Sequence, residues 1–389
     1  MIKKMFKYYD YSLIVAILTV CGFGLIMVYS ASSIYGLIRY GVSSDYFFMK
    51  QLIFFIVGLI CCLVTMIVPF HIYKGWLKFI VFGSIIVLGS VFLFGKVSNN
   101  AQSWLKFGLL GVQPSEFVKL GMIIYLSAIF SKKQDRLDHF GTSVVPPLII
   151  FAVVFILIYL QPDLGTALIL AGITGIIVLC SGLRKRHILL LLAFTLGMML
   201  LGSQFLSNNQ KMRFAGAYHP FEHKSKWGYQ LIQSYVAMAS GGINGKGLGE
   251  GIQKYGYLPE PHTDFIIAVV AEELGFWGVL FVISLLAFIV IKGFIIGIRC
   301  KDIYGSLLAF GISGMIGIQT VVNLGAASGL LPITGVTLPF ISYGGSSLIL
   351  SLLSVGILIN ISCYVNHKRK KDRLESPAIQ KPYLVTKAK

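Results

Sequence analysis

GGINGKGLGEGIQKYGYLPEPHTDFIIAVVAEELG, from Gly241 to Gly275, is where the chain changes character. Its first half is polar, glycine-rich and cationic; from Phe265 an apolar run continues to Ile298. Asp264 stands at the junction. A carboxylate at the mouth of a membrane helix, beside a basic loop, suits chemistry on a lipid-linked substrate.

Outward from that junction the chain is almost entirely apolar. Of 389 residues 56% are hydrophobic and 12% charged. Soluble domains carry about a quarter charged residues, so the composition is that of an integral membrane protein. The net charge of +18 would suggest nucleic acid in a soluble chain. Here it reads as topological and faces anionic lipid, and no nucleic acid is expected. Apolar runs lie at 12–31, 51–70, 76–95, 114–130, 142–160, 164–182, 187–206, 265–298, 303–331 and 338–365. Each is near the span of about 20 residues that a helix needs, and the first should act as an uncleaved signal anchor. Backbone at bilayer depth must satisfy its own hydrogen bonds, so the fold class is all-α: a polytopic bundle of ten transmembrane helices. The run 265–298 exceeds one crossing and must tilt, break or project. Pro146–Pro147 and Gly344–Gly345 read as interruptions within the fifth and tenth helices.

Lysine and arginine mark alternate breaks: Lys3, Lys4 and Lys7; Lys132, Lys133 and Arg136; Arg184, Lys185 and Arg186; Arg299 and Lys301; Lys368 to Lys371 with Arg373. The positive-inside rule then makes both termini cytoplasmic and leaves one large extracytoplasmic loop, about 207–264, between the seventh and eighth helices. Residues 1–366 form the membrane domain, and 367–389 a basic, disordered cytoplasmic tail. None of the six cysteines lies in that outer loop, so no structural disulfide is expected.

The fifteen acidic residues are few enough that each one near a membrane helix matters. Glu116 and Lys119 in QPSEFVK share a helix face at i, i+3, either as an anchoring ion pair or as part of a polar cavity. Asp163 in QPDLGT is either a helix N-cap or the third member of that cluster. Asp264 and Glu272 are separated by about 12 Å of helix rise, which disfavours a shared-proton dyad. Glu272 and Glu273 therefore read as structural, hydrogen-bonded between helices. The outer loop carries Lys211, Arg213, Lys224, Lys226, Lys246 and Lys254 with His219, His223 and His262. Cations on the outer side run against the topological grain and suggest an anionic ligand. Glycines such as Gly245 and Gly247 would let backbone N–H groups approach phosphate. The run fits no nucleotide-binding pattern, since Ser240 and Gly247 stand where a P-loop needs Gly and Ser/Thr. The histidines read as surface residues rather than metal ligands.

WLKFG with QPSEFVK (104–119), QPDLGT (161–166), GGINGKGLGEG, YLPEPHTDF (257–265), EELG (272–275) and LPFISYGGSS (338–347) occur in this order. Together they are similar to the SEDS family (shape, elongation, division and sporulation), its division and sporulation branches more than its elongation branch. The resemblance implies a ten-helix peptidoglycan glycosyltransferase. It would polymerise lipid II, the undecaprenyl-pyrophosphate-linked disaccharide-pentapeptide, at the outer face of the bacterial cytoplasmic membrane for septal wall synthesis. It carries the family's catalytic aspartate onto Asp264, its essential glutamate and lysine onto Glu116 and Lys119, and a further aspartate onto Asp163. It also implies a class B penicillin-binding protein as transpeptidase partner, among other division proteins. Arg213, Lys246, Gly245 and Gly247, or a bound Mg2+ or Mn2+, are the candidates for the departing diphosphate. Two rival readings are a lipid II flippase and a non-catalytic scaffold of the division apparatus.

Overall fold

The computed structural model describes residues 6–98, 101–107, 110–204, 208–225 and 227–375. Lys3, Lys4, Lys226 and the tail from 376 onward lie outside the described residues. The fold is mostly helical. Its long elements are α1 (Tyr11–Tyr40), α2 (Tyr46–Ile67), α3 (Leu77–Phe94), α4 (Pro114–Lys132), α5 (Val145–Leu160), α6 (Leu164–Cys180) and α7 (Lys185–Gln204). Then come α8 (Asn208–Tyr218), α9 (Tyr229–Gly241), α10 (Ile266–Arg299), α11 (Ile303–Ala327) and α12 (Gly345–Glu375). Between α3 and α4 three short antiparallel strands form a meander, β1 (Lys96–Ser98), β2 (Ala101–Phe107) and β3 (Leu110–Val112), which turns the WLKFG motif into a hairpin.

Aspartates fix several helix starts. Asp10 Oδ1 accepts from the Leu13 N–H at 3.4 Å and Asp302 Oδ2 from the Gly305 N–H at 2.8 Å, satisfying donors that the first helical turn leaves open. Among the described residues six helices are long and apolar enough to cross a membrane: α1, α2, the 70–94 run containing α3, α10, α11 and α12. α5 and α6 are shorter apolar helices. The chain is a multi-pass membrane protein. In its most apolar stretch α12 is 83% buried and α11 67%, against 11% for the 70–94 run. The first two are therefore the centre and α3 a lipid-facing flank. α2 packs along α12 at backbone distance, because a Cβ on Gly356 would stand 2.5 Å from the Cys62 carbonyl oxygen. α1 runs antiparallel to α10, joined by Lys292–Asp10 at 3.4 Å and by Ser30 to Glu273 at 2.7 Å.

Several expectations need correcting. The overlong run does break, at Gly275, whose φ of 65° and ψ of −158° are non-helical. A Cβ there would come within 2.4 Å of Gly245 N and Ile243 O, so only glycine fits. α10 is thus a buried half-helix, 266–274, followed by 276–299, which at roughly 1.5 Å per residue extends about 36 Å. Pro146 and Pro147 mark a helix boundary: a one-turn helix, Phe140–Ser143, ends just ahead of them, and they sit in the first turn of α5, where no intrahelical N–H is required. Gly344–Gly345 is likewise a start, since α11 ends at Ala327 and residues 328–344 form a non-helical arch before α12. Pro332 and Pro339 inside that apolar stretch account for the loss of helix. α12 continues to Glu375, so the basic tail begins as helix rather than as disordered chain. The 207–264 segment is not one open loop either, because it contains α8 and α9.

Candidate active site

Four helix starts converge at one end of the bundle. The Gln113 N–H, just ahead of α4, donates to Ser346 Oγ of α12 at 3.0 Å. Asp163 caps α6 through the Thr166 N–H at 3.1 Å. Its other oxygen accepts from Gln113 Nε2 at 3.0 Å and Ser115 Oγ at 3.4 Å. The cap reading of Asp163 is therefore realised, while its partners on α4 are Gln113 and Ser115 rather than the Glu116–Lys119 pair. The arch closes over this junction: a Cβ on Gly165 would lie 2.9 Å from the Thr334 carbonyl oxygen. Gly335, at φ 74°, leaves 3.7 Å between its own Cβ position and Asp264 Oδ2.

Asp264 sits half-buried at the start of the α10 half-helix. Burial pushes its carboxyl up to about 7, the Glu260 carboxylate pushes the same way, and the Arg213 guanidinium opposes both. Asn323 of α11 donates to the Asp264 carbonyl at 2.9 Å and to the Val336 carbonyl at 2.7 Å. Two residues upstream, His262 is 2% exposed, its ring centroid 4.5 Å from Phe47, 5.4 Å from Tyr343 and 5.5 Å from Tyr35. Burial holds this imidazole down to about 4 and hence uncharged at neutral pH, so it is a core residue rather than the surface one expected. The Tyr343 N–H donates to its carbonyl at 2.8 Å. Non-glycine residues in the left-handed region, Glu260 at φ 53° and Phe340 at φ 66°, flank the site, a strain that functional sites concentrate.

A cavity of about 260 Å³ is lined by Arg213 and Phe214 of α8, Trp227, Gly165 of α6, and Ile333 and Thr334 of the arch; Asp264 is not in this lining but faces Gly335, the residue after Thr334. Arg213 thus both lines the cavity and acts on Asp264. A larger open depression, about 790 Å³, is lined by Arg136, Asp138 and His187 at the far end of α4. It holds none of the motif residues.

Glu116 and Lys119 form a buried ion pair, Nζ to Oε1 at 2.8 Å, in the first turns of α4. Lys119 is fully buried and Glu116 Oε2 has no hydrogen-bond partner. The glycine run needs correction. The Gly245, Lys246 and Gly247 N–H groups donate to the Gly241, Glu272 and Glu273 carbonyls at 2.8, 3.0 and 2.9 Å. Lys246 Nζ lies 2.8 Å from Glu272 Oε1. These donors hold the loop onto α10 at the break, a half-helix of about 12 Å away from Asp264. Lys246, Gly245 and Gly247 are thus engaged within the fold instead of presented to a ligand. Glu273 does the same for Lys254, at 2.7 Å, and the Gly249 N–H, at 3.0 Å, so the structural reading of both glutamates holds. Among the described residues no three His, Cys, Asp or Glu side chains come together to hold a metal ion; Mg2+ or Mn2+ held mainly through a substrate diphosphate needs only one or two carboxylates.

Residue-type reasoning missed Asn323, Glu260, Trp227 and the arch. Asn323 carried a usable signal, a polar amide inside the apolar stretch GIQTVVNLGAA.

The cell cycle protein family designated FTSW_RODA_SPOVE matches residues 11–367. The probable peptidoglycan glycosyltransferase FtsW of Bacillus subtilis (strain 168) is 51% identical over 397 residues, covering 99% of this chain and 98% of that one. Stage V sporulation protein E of the same organism is 39% identical, covering 91% and 97%. Among solved structures, one described as structural coordination of polymerization and crosslinking by a peptidoglycan synthase complex superposes with a TM-score of 0.76. It is 26% identical, covering 92% of this chain and 98% of that one. The rod shape determining protein RodA of Thermus thermophilus gives a TM-score of 0.67 at 26% identity, covering 91% and 96%.

Proposed function

The chain belongs to the FtsW/RodA/SpoVE family of cell cycle proteins, and from that premise we propose that it is a peptidoglycan glycosyltransferase that polymerises lipid II. The observation that carries the reading is Asp264: a carboxyl held near neutrality, acted on by the Arg213 guanidinium that lines the neighbouring cavity and facing Gly335, the residue after the cavity-lining Thr334. Chain extension forms a bond between the acceptor's 4-hydroxyl oxygen and the donor's anomeric carbon and breaks the bond from that carbon to the lipid diphosphate. The hydroxyl proton passes to Asp264, and a base is most effective when its pKa lies near the working pH. Arg213 neutralises charge growing on the diphosphate. Glu116 and Lys119 hold the α4 turn that carries Gln113 and Ser115 against Asp163.

The ten helices that occupy the apolar runs act as ten crossings, with both termini in the cytoplasm and α8, α9 and Asp264 on the outer side. The alternating basic breaks support this orientation. The relatives' names support a role in septal wall synthesis, and the neighbouring polymerisation and crosslinking complex supports a class B penicillin-binding protein as partner beside other division proteins.

The test is polymerisation of lipid II by purified protein in detergent, where no membrane exists to flip a lipid across. Asp264→Asn should remain monodisperse and lose activity by at least about 10²-fold, the low end of what a positioned base contributes. Wild-type rates from that variant would remove Asp264 as the base. No polymer from the native chain, with or without its transpeptidase, would return the flippase and scaffold readings.

A further inference from the structure

Asn323 is 1% exposed, in the last turns of α11. Its Nδ2 donates two hydrogen bonds, to the Asp264 carbonyl at 2.9 Å and to the Val336 carbonyl at 2.7 Å. Two carbonyl acceptors on one side of the amide fix its orientation, because the flipped amide would set oxygen against oxygen. Oδ1 is left buried without a partner, an arrangement that costs about 1–3 kcal/mol in general and that packing alone would not favour. One turn earlier on the same face, Gln319 reaches Ser347 Oγ at 3.5 Å, and Ser347 accepts from Thr337 Oγ1 at 3.0 Å. α11 therefore reaches the arch directly through Asn323 and, one turn earlier, only indirectly through Ser347 of α12. Only the Asn323 mount also grips the peptide of Asp264.

We propose that Asn323 is a positioning residue for glycan polymerisation: its single amide fixes the spacing between the Asp264 peptide and the arch that walls the adjacent cavity. This rests on the reading of Asp264 as base. Val336 follows Thr334 and Gly335, which line the cavity and face Asp264 Oδ2 respectively. A shift of the arch relative to Asp264 therefore moves the acceptor hydroxyl relative to its base. Misplacement of about 1 Å is enough to reduce a rate by roughly 10²-fold.

The charged neighbours of Asp264 are Glu260 and Arg213. The experiment compares the native chain, Asn323→Asp, Asn323→Ser and Gln319→Met in detergent. Folding is followed by gel filtration, and kcat and KM for lipid II are measured from pH 5.5 to 8.5. Asn323→Asp is isosteric but can donate one hydrogen bond at most; Asn323→Ser adds no charge and carries the test if the aspartate variant misfolds. Folded Asn323 variants should lose about tenfold to a hundredfold in kcat with KM within about threefold. In the uncharged Asn323→Ser variant the acid limb of the pH profile should move below 7 as Asp264 becomes wetter. Gln319→Met should leave that limb in place. An Asn323 variant with native kcat and an unmoved limb, or an equal limb shift in Gln319→Met, overturns the proposal. Activity retained by Asp264→Asn in the same assay overturns the base assignment instead, so the two failures are distinguishable.

Discussion

The raised pKa of Asp264 makes a prediction that needs no mutation. A base must be ionised to act, and a carboxyl near 7 is ionised to about 9% at pH 6, about half at pH 7 and about 91% at pH 8. With kcat/KM proportional to the ionised fraction, the rate of lipid II polymerisation should rise about tenfold from pH 6 to pH 8. A carboxyl at the ordinary value of 3.8 would be fully ionised throughout and give a flat profile. The two secondary influences assign signs. Glu260 raises the pKa and Arg213 lowers it, so Glu260→Gln should move the acid limb to lower pH and Arg213→Gln to higher pH. Arg213→Gln should also lower the plateau, through lost neutralisation of the leaving diphosphate. The assay is the initial rate of fluorescent lipid II incorporation at fixed ionic strength, with stability checked at each pH. A flat profile between pH 5.5 and 8, or limbs that move in the reverse order, would refute the electrostatic account of the site.

The same shift has a stability signature. An acid whose folded pKa is raised destabilises the fold as pH climbs from its unfolded value near 3.8 to about 7, so Asp264→Asn should raise the thermal midpoint at pH 8 and leave it unchanged at pH 4. The ceiling on the gain is about 4 kcal/mol for roughly three pKa units, lowered by partial exposure. Glu116→Gln leaves the Lys119 ammonium fully buried opposite a neutral amide, and its thermal stability should drop by about 3–5 kcal/mol; much of that should return in the double variant with Lys119→Met. Lys246→Ala should lower stability by about 1–2 kcal/mol through the lost partner of Glu272, and should leave KM for lipid II unchanged. A several-fold rise in KM would restore Lys246 as a substrate contact.

The bundle was legible because lipid forces each apolar run to be a helix, and the N-cap at Asp163 is a local signal. Glu116 and Lys119 were legible as a pair for the same reason, since i, i+3 spacing is a property of one helix. What escaped depends on contacts distant in sequence. The glycine run has the composition of a phosphate loop, and its N–H groups are engaged only because residues 241–249 fold back on Glu272 and Glu273. That the 265–298 run must tilt, break or project was readable from length, but that it breaks, and at Gly275, follows from the close approach of Ile243 and Gly245. The arch reads as the continuation of two apolar helices until Pro332, Gly335 and Pro339 are weighed as helix breakers, a signal that hydropathy overrides.

The buried acids of this protein divide by what stands opposite them. Glu116, Glu272 and Glu273 each lie within 2.8 Å of a lysine ammonium, so their charge is matched and their work is to hold α4 and the α10 break. Asp264 is arranged otherwise: burial and Glu260 push a proton onto it, and Arg213 offsets them only in part. A structural carboxylate gains nothing from that environment, because every unit of raised pKa is stability lost at neutral pH. A carboxylate that must accept a proton and release it again needs such an environment. The half-helix ahead of Gly275 reconciles the two demands. It separates the acid that must remain reactive from the two glutamates that fasten the loop, by about 12 Å, and the Asn323 amide fixes the reactive one to the cavity wall through its backbone, leaving its side chain free to work.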